Sequence, residues 1–426
     1  MVFGQVKCLL VISFYFCSMK KLLIIGTVWP EPTSSAAGTR MMQLIVWFQK
    51  ANWDICFACP AAESEFSSLL QESSIRKEII SLNDPSFDAF ISEFQPNAVL
   101  FDRFMMEEQF AWRVAQHCPQ AIRILDTEDL HCLRIARQMA LKENREMTEL
   151  DLMNDTAKRE IASILRCDLS LIISSFEMEL LHSVFHIDER LLHYLPIQVN
   201  GPFSFEPSFE ERSGFITIGN FRHPPNADAI HYLKNEIWPL IRKLLPDAKM
   251  HVYGSYPSPA LLQLNHPASG FLVHGKAKDA FDVMRKARVC LAPLRFGAGI
   301  KGKLLEAMIC GTPSVTTRIG SEGMQGNLPW NGTVCNDAKD FAMAAEQLYS
   351  SKKDWTKAQA HGKQILESLF ESDTPSQELI NRIQYLLEHL NEHRLVNFTG
   401  SMLLHHTLQS TKYLSKWIEE KNRKIE

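Results

Sequence analysis

Five residues within one short span, Gly297, Gly299, Lys301, Lys303 and Glu306, join backbone freedom to charge. Glycines let the main chain come close to a ligand. Lysines at the start of a helix oppose its partial positive charge, a mismatch that an anion relieves. A loop of this kind can hold a phosphate. Glu306 lies one turn beyond Lys303, on the same helical face, where a carboxylate can accept hydrogen bonds from hydroxyl groups. The competing reading is a solvated turn with an exposed Lys303–Glu306 pair of little energetic weight.

The neighbouring elements suit the first reading. The apolar run Val289 to Ala292 reads as a buried strand, and Leu304, Leu305 and Met308 give a short helical pattern. Gly311 and Pro313 end that helix, and Ser314 to Thr317 opens another strand. Upstream, residues 20–195 alternate the strand candidates LLIIG, WDICFAC, NAVLF, AIRIL and DLSLIIS with helical patterns at Thr39–Ala51, Met106–His117 and Leu130–Leu165. Residues 196–212 are proline-rich and aperiodic, and read as a linker. A second βα series follows, with strands GFITIG, KMHVYG, FLVHG and RVCLAPL. Alternating strands and helices predict parallel sheets, with ligands outside the carboxyl ends of the strands.

Composition fits an ordinary globular chain: 426 residues, 46% hydrophobic, 22% charged and a net charge of −4. Nothing is basic enough to indicate a nucleic-acid partner. Ten cysteines without a paired framework favour free thiols, and the lone C-x-x-C at Cys56 and Cys59 lies in an apolar strand. Residues 1–18 hold a ten-residue apolar run, Cys8 to Cys17, too short to span a bilayer and without a small-residue cleavage site. They read as an extension, either a non-native start or a weak anchor, so the fold is expected to begin at Met19.

The run Gly297 to Thr317, FGAGIKGKLLEAMICGTPSVTT with its preceding phenylalanine, resembles the donor-sugar motif of the family 4 retaining glycosyltransferases in its G-x-G-x-K-x-K-x-x-E-A-M form. Glu306 matches the second of that family's two motif glutamates, and Ala298 stands in place of the first. The resemblance implies an α/β GT-B fold: two Rossmann-like parallel-sheet domains facing a cleft, with C-terminal helices. The expected division is 19–195 for the N-terminal (acceptor) domain, 196–212 for the linker, 213–350 for the nucleotide-sugar domain, and 351–426 for helices that pack back on the first domain. It also implies transfer of a sugar from a nucleotide-diphosphate donor to a glycan, lipid or other hydroxyl acceptor. Neither a metal nor a resident cofactor is expected. Gly38, Arg222, Gly299, Lys301, Lys303 and Glu306 would bind donor, with Glu306 on the ribose.

Strand ends facing the cleft supply the candidates for chemistry: Asp102, Glu128 and His131. The family's histidine near the reacting carbon has no direct counterpart here, since Asp102 and Glu128 occupy such places and His131 falls a turn later. Asp129 could cap the next helix. Alternatives to transfer are a sugar-nucleotide epimerase, a glycan phosphorylase, or a non-catalytic module that binds nucleotide sugars. The tail from Met402 mixes Leu403, Leu404, Leu408, Tyr413, Leu414 and Trp417 with Lys412, Lys416, Lys421, Arg423 and Lys424. It could dock on the N-terminal domain or lie on a membrane surface. The expected location is cytoplasmic, with peripheral contact at the inner face of the membrane.

Overall fold

The structure, a computed structural model, describes residues 19–62, 75–203 and 206–423. Residues 1–18 and Lys424 lie outside the described residues. The first sheet has seven strands: β1 (Lys20–Ile25), β2 (Trp53–Cys59), β3 (Arg76–Ile79), β4 (Ala98–Asp102), β5 (Ile122–Asp126), β6 (Leu169–Ile172) and β7 (Leu192–Tyr194). Their order is β3-β2-β1-β4-β5-β6-β7, and every pair is parallel. The second sheet has six: β8 (Phe215–Asn220), β9 (Met250–Ser255), β10 (Phe271–Gly275), β11 (Val289–Ala292), β12 (Ser314–Thr316) and β13 (Gly332–Val334). Its order is β10-β9-β8-β11-β12-β13, again all parallel. These are the two Rossmann-like sheets expected from the alternating pattern.

The strand order reverses at β1/β4 in the first sheet and at β8/β11 in the second, all strands staying parallel. Open α/β sheets leave a crevice at such switch points, where the loops that follow diverge. Continuous apolar strands such as LLII, fully buried in β1, reflect helices on both faces. Cys56 and Cys59 are three apart on β2, so they face opposite sides of the sheet and join different core clusters. Both thiols are pushed up by burial, to about 12 and about 11, and serve as packing.

The expected long helix over Leu130–Leu165 is instead two helices, His131–Lys142 and Asp155–Arg166, with a single turn at Glu149–Leu152 between them. Asn144 turns left-handed at φ +51°, Thr148 and Asp151 form a capping box, and Asn154 caps the second helix. Those polar side chains compete with the helical backbone, and here they win. The linker is packed rather than free. Ile197 and Val199 share a core cluster with Leu304, Leu305 and Met308, and the Arg212 guanidinium donates to Thr312 Oγ1 and the Cys310 carbonyl, each at 2.8 Å. Past the second sheet, the helix Thr374–Val396 buries Leu379, Ile383, Leu386 and Leu390 against the first sheet.

One buried ion pair ties the first sheet to the helix Ala36–Lys50. Arg40 donates to Asp126 Oδ1 at 2.8 Å and to the Leu195 carbonyl at 2.6 Å, and both charged side chains are wholly enclosed. Removing one member leaves a buried carboxylate without its cation. Arg40→Met is therefore expected to cost about 3–5 kcal/mol in urea unfolding. A loss under about 1 kcal/mol, the range of a solvated pair, would contradict that placement.

Candidate active site

The two switch points face each other, and the glycine loop closes the gap between them. In the second half, Lys301 stands just before the helix Gly302–Ile309 without capping it through its side chain, and Lys303 reaches from the first turn toward the end of β8. Lys303 Nζ donates to Asn226 Oδ1 at 2.8 Å, and a Cβ on Gly219 would lie 3.2 Å from that ammonium. A side chain at position 219 would therefore block the lysine. Glu306 is half-buried and, among the described residues, its carboxylate forms no hydrogen bond or ion pair. The exposed Lys303–Glu306 pair is thus not what forms. Burial pushes the Lys303 ammonium down to about 8 and the Glu306 carboxyl up to about 7, the latter pulled back partly by Lys303. Lys301 is 7% exposed and turns back to donate to the Gly299 carbonyl at 2.6 Å. Burial, set against Glu322, brings it to about 8.

Arg222 sits at the mouth of the site, exposed, with its guanidinium 3.8 Å from the centre of the Tyr256 ring. Tyr256 in turn donates to Glu31 Oε2 of the first half at 3.0 Å. Gly38 lies across the cleft in the Ala36–Lys50 helix. Its N–H donates to Ser35 Oγ at 3.0 Å, and its Cα packs against the backbone of Glu31, so a packing need explains this glycine.

The first half contributes the ends of β1, β4 and β5. Asp102 Oδ2 accepts from the Thr27 N–H at 3.0 Å across the first switch point, while its buried Oδ1, with no hydrogen bond among the described residues, lies 3.7 Å from the Arg103 guanidinium. Arg103 and Glu128 both have left-handed backbones, at φ +69° and +62°. Such strain in residues other than glycine concentrates at functional sites. Glu128 is half-buried with no hydrogen bond among the described residues. Burial and the nearby Asp126 push it up to about 8 against the pull of Arg103. His131 stands 3.4 Å from Asp129 Oδ1 and edge-on to Phe104. Burial brings it down to about 4, so it is neutral near pH 7. Asp129 does not cap the following helix. It pairs with Arg134, and Glu160 takes the capping role by accepting the His131 and Cys132 N–H groups at 2.8 and 2.7 Å.

The fold therefore brings Glu128 and Asp129 against Gly299, whose Cβ would fall 2.9 Å from that of Asp129 and 3.3 Å from the Glu128 carbonyl. Gly299 has φ +63°, so the loop needs glycine there for conformation as well as for space. Two groups that the sequence reading passed over hold the loop to the first half. Glu177, fully buried in the helix Ser175–Ser183, accepts the Leu130 N–H at 3.0 Å and the Gly299 N–H at 2.8 Å through one oxygen. Its other oxygen has no hydrogen-bond partner among the described residues, and burial raises the group to about 7. Arg137 donates to the Gly297 carbonyl and to Glu322 Oε1, each at 2.8 Å. Ala298, where the family motif has a glutamate, is buried within the core cluster of the first half. Glu177 carried a signal, an acid just beyond a strand end, whereas Arg137 looked like any helical surface residue.

Comparison with known proteins bears on this cleft. Residues 212–351 match the family described as Glycosyl transferases group 1. A curated relative, an uncharacterized 44.6 kDa protein in the cps region of Klebsiella pneumoniae, is 26% identical over 153 residues, 34% of this chain. The chain spans 39% of that relative's length. Among solved structures, Anabaena Alr3699/HepE in complex with UDP and glucose is 11% identical with a TM-score of 0.65, covering 86% of this chain and 100% of its own. A mutant of S. aureus TarM in complex with Fondaparinux, alpha-GlcNAc-glycerol and UDP is 9% identical with a TM-score of 0.63, over 86% and 100% of the two chains. The fold is GT-B, and residues 212–351 in its second half match the group 1 model, a likeness that supports sugar transfer in general terms.

Two outcomes follow from this geometry. Glu177→Ala removes the acceptor shared by two buried N–H groups, each costing roughly 1–3 kcal/mol when left unpaired, whereas Glu177→Gln keeps an acceptor oxygen. Urea unfolding should show a large loss for alanine and a small one for glutamine; equal losses would mean that the charge, not the acceptor, holds the loop. Lys303 is charged below about 8 and loses its charge as pH rises through that value; Glu306 is charged above about 7 and loses its charge as pH falls. Affinity for a nucleoside diphosphate should peak between these values, and Glu306→Gln should flatten the acid side. Titration calorimetry showing no pH dependence from about pH 6 to 9 would contradict both assignments.

Proposed function

We propose that the protein is a retaining glycosyltransferase that moves a sugar from a nucleotide-diphosphate sugar to a hydroxyl group of a glycan or lipid-linked acceptor. The observation that carries this reading is Lys303: a half-buried ammonium at a helix start, bonded to Asn226 and not to Glu306. Such a cation is suited to an anionic ligand. In this reading Lys303 and the loop backbone take the diphosphate, Lys301 shapes the loop, Gly299 admits the donor, and Glu306 accepts the ribose hydroxyls. Arg222 meets the phosphates from the mouth and Gly38 lines the facing wall. HepE was solved with UDP and glucose, which makes a uridine nucleotide the first donor to try.

Transfer breaks the bond between the anomeric carbon and the diphosphate as the acceptor oxygen attacks from the same face, and the acceptor proton passes to the leaving phosphate. Charge develops on the diphosphate, where a fixed cation and helix N–H groups stabilise it without a metal. Asp102 and Glu128 line the sugar's side of the cleft. Neutral His131 would donate a hydrogen bond to the sugar without adding charge. The alanine at position 298 favours a second reading, a non-catalytic nucleotide-sugar-binding module, which would bind donor without turnover.

Calorimetry of variants separates donor binding from the solvated-pair alternative. Lys303→Ala should weaken a nucleoside diphosphate about tenfold or more and leave the bare nucleoside nearly unaffected, whereas Glu306→Gln should weaken both. Equal, small effects on both ligands would remove the donor site from this loop. Release of nucleoside diphosphate from a nucleotide sugar, faster with acceptor than without, separates the enzyme from the binding module.

A further inference from the structure

The last helix, Phe398–Arg423, has two faces with different fates. One packs on the helices Arg103–His117 and Asp155–Arg166 of the first half. Ser415 on that face is buried and accepts a hydrogen bond from Arg113 at 3.1 Å, and the same guanidinium pairs with Glu419. At its start the helix sits against the Asp155–Arg166 helix through Gly400 and an Asn397 amide bonded to the Leu165 carbonyl at 2.8 Å. The other face is exposed among the described residues. Tyr413, Leu414 and Trp417 are 66%, 58% and 61% exposed, a dense apolar group for a surface helix.

Cations flank that group. Lys412, Lys416 and Lys421 form no ion pair among the described residues, and Lys421 lies 5.5 Å from the centre of the Trp417 ring. Of the two nearby acids, Glu419 turns to the packed side, where it shares Arg113 with Asp88, and Glu420 pairs with Arg423 at 2.7 Å. The free charge on this face is therefore positive. Amphipathic aromatic and aliphatic side chains set between lysines match the boundary of an anionic bilayer, where rings seat at headgroup depth and ammonium groups meet phosphates. A two-fold contact between copies would instead bring two lysine rows together, an arrangement that opposes self-association. No described helix is long and apolar enough to cross a membrane, so the contact suited to this face is lateral.

We propose that the outer face of the Phe398–Arg423 helix is a docking surface for an anionic lipid bilayer, with Tyr413, Leu414 and Trp417 entering the interface and Lys412, Lys416 and Lys421 meeting headgroup phosphates. The proposal is independent of the donor site, since none of these residues touches the cleft. It holds the first half, by way of Arg113, against the membrane.

Co-sedimentation of the full chain with vesicles tests it. The protein should partition onto phosphatidylcholine vesicles containing phosphatidylglycerol, ignore phosphatidylcholine alone, and be released at high salt. Two triple variants read the two contributions: Tyr413→Ser/Leu414→Ser/Trp417→Ser and Lys412→Ser/Lys416→Ser/Lys421→Ser. The lysine variant should partition on the order of a hundredfold more weakly, and the aromatic variant should lose most binding. Both should unfold at the wild-type midpoint, because the replaced groups lie off the packed face. Equal partitioning of wild type and both variants, or none by wild type, overturns the proposal. So would a dimer in light scattering that the aromatic variant turns into monomer, which would make this face a self-association surface.

Discussion

The contact on which the cleft depends is one carboxylate oxygen receiving two backbone N–H groups. Glu177 takes the Leu130 amide of its own half and the Gly299 amide of the other. It thereby sets the distance between the strand ends of the first sheet and the glycine loop of the second. Buried backbone donors need partners, and here one acceptor satisfies a donor from each half. Arg137 repeats the arrangement with opposite polarity, donating from the first half to the Gly297 carbonyl and Glu322. The loop is gripped at both ends, and Gly299 can lie against Asp129 only because it lacks a side chain.

That grip explains the electrostatics within. Lys301, Lys303, Glu306 and Glu177 all titrate near neutrality for one main reason, removal from water. Desolvated cations at a helix start are costly in isolation, and a bound anion would recover much of that cost. A site built this way is preorganised: its charges are fixed before the ligand arrives, so little reorganisation is needed as charge develops. The strained backbones of Arg103 and Glu128 on the opposite wall fit the same picture of local stability given up for placement.

Much of this was legible in the chain because period and punctuation were strong. Buried parallel strands gave unbroken apolar runs, and Gly297 to Pro313 marked a loop, helix and stop in order. The residues that failed to announce themselves act over distance. Glu177, Asn226 and Arg137 find their partners only when the halves meet, and no local pattern encodes that meeting. The Leu130–Leu165 segment misled for the opposite reason: its apolar spacing was helical, but Asn144, Thr148 and Asn154 offered the backbone better local partners. The tail offered two readings, docking or a membrane face. The packed face of the last helix realises the first, and its bare face leaves room for the second.

Hydrogen exchange with and without a saturating nucleoside diphosphate tests the central claim, that the ligand's phosphates are held at the glycine loop where the two sheets face each other. New protection is expected in two stretches only, the loop and first helical turn at 299–306 and the β8 end through Asn226. Protection elsewhere, with these amides exchanging as before, would contradict it.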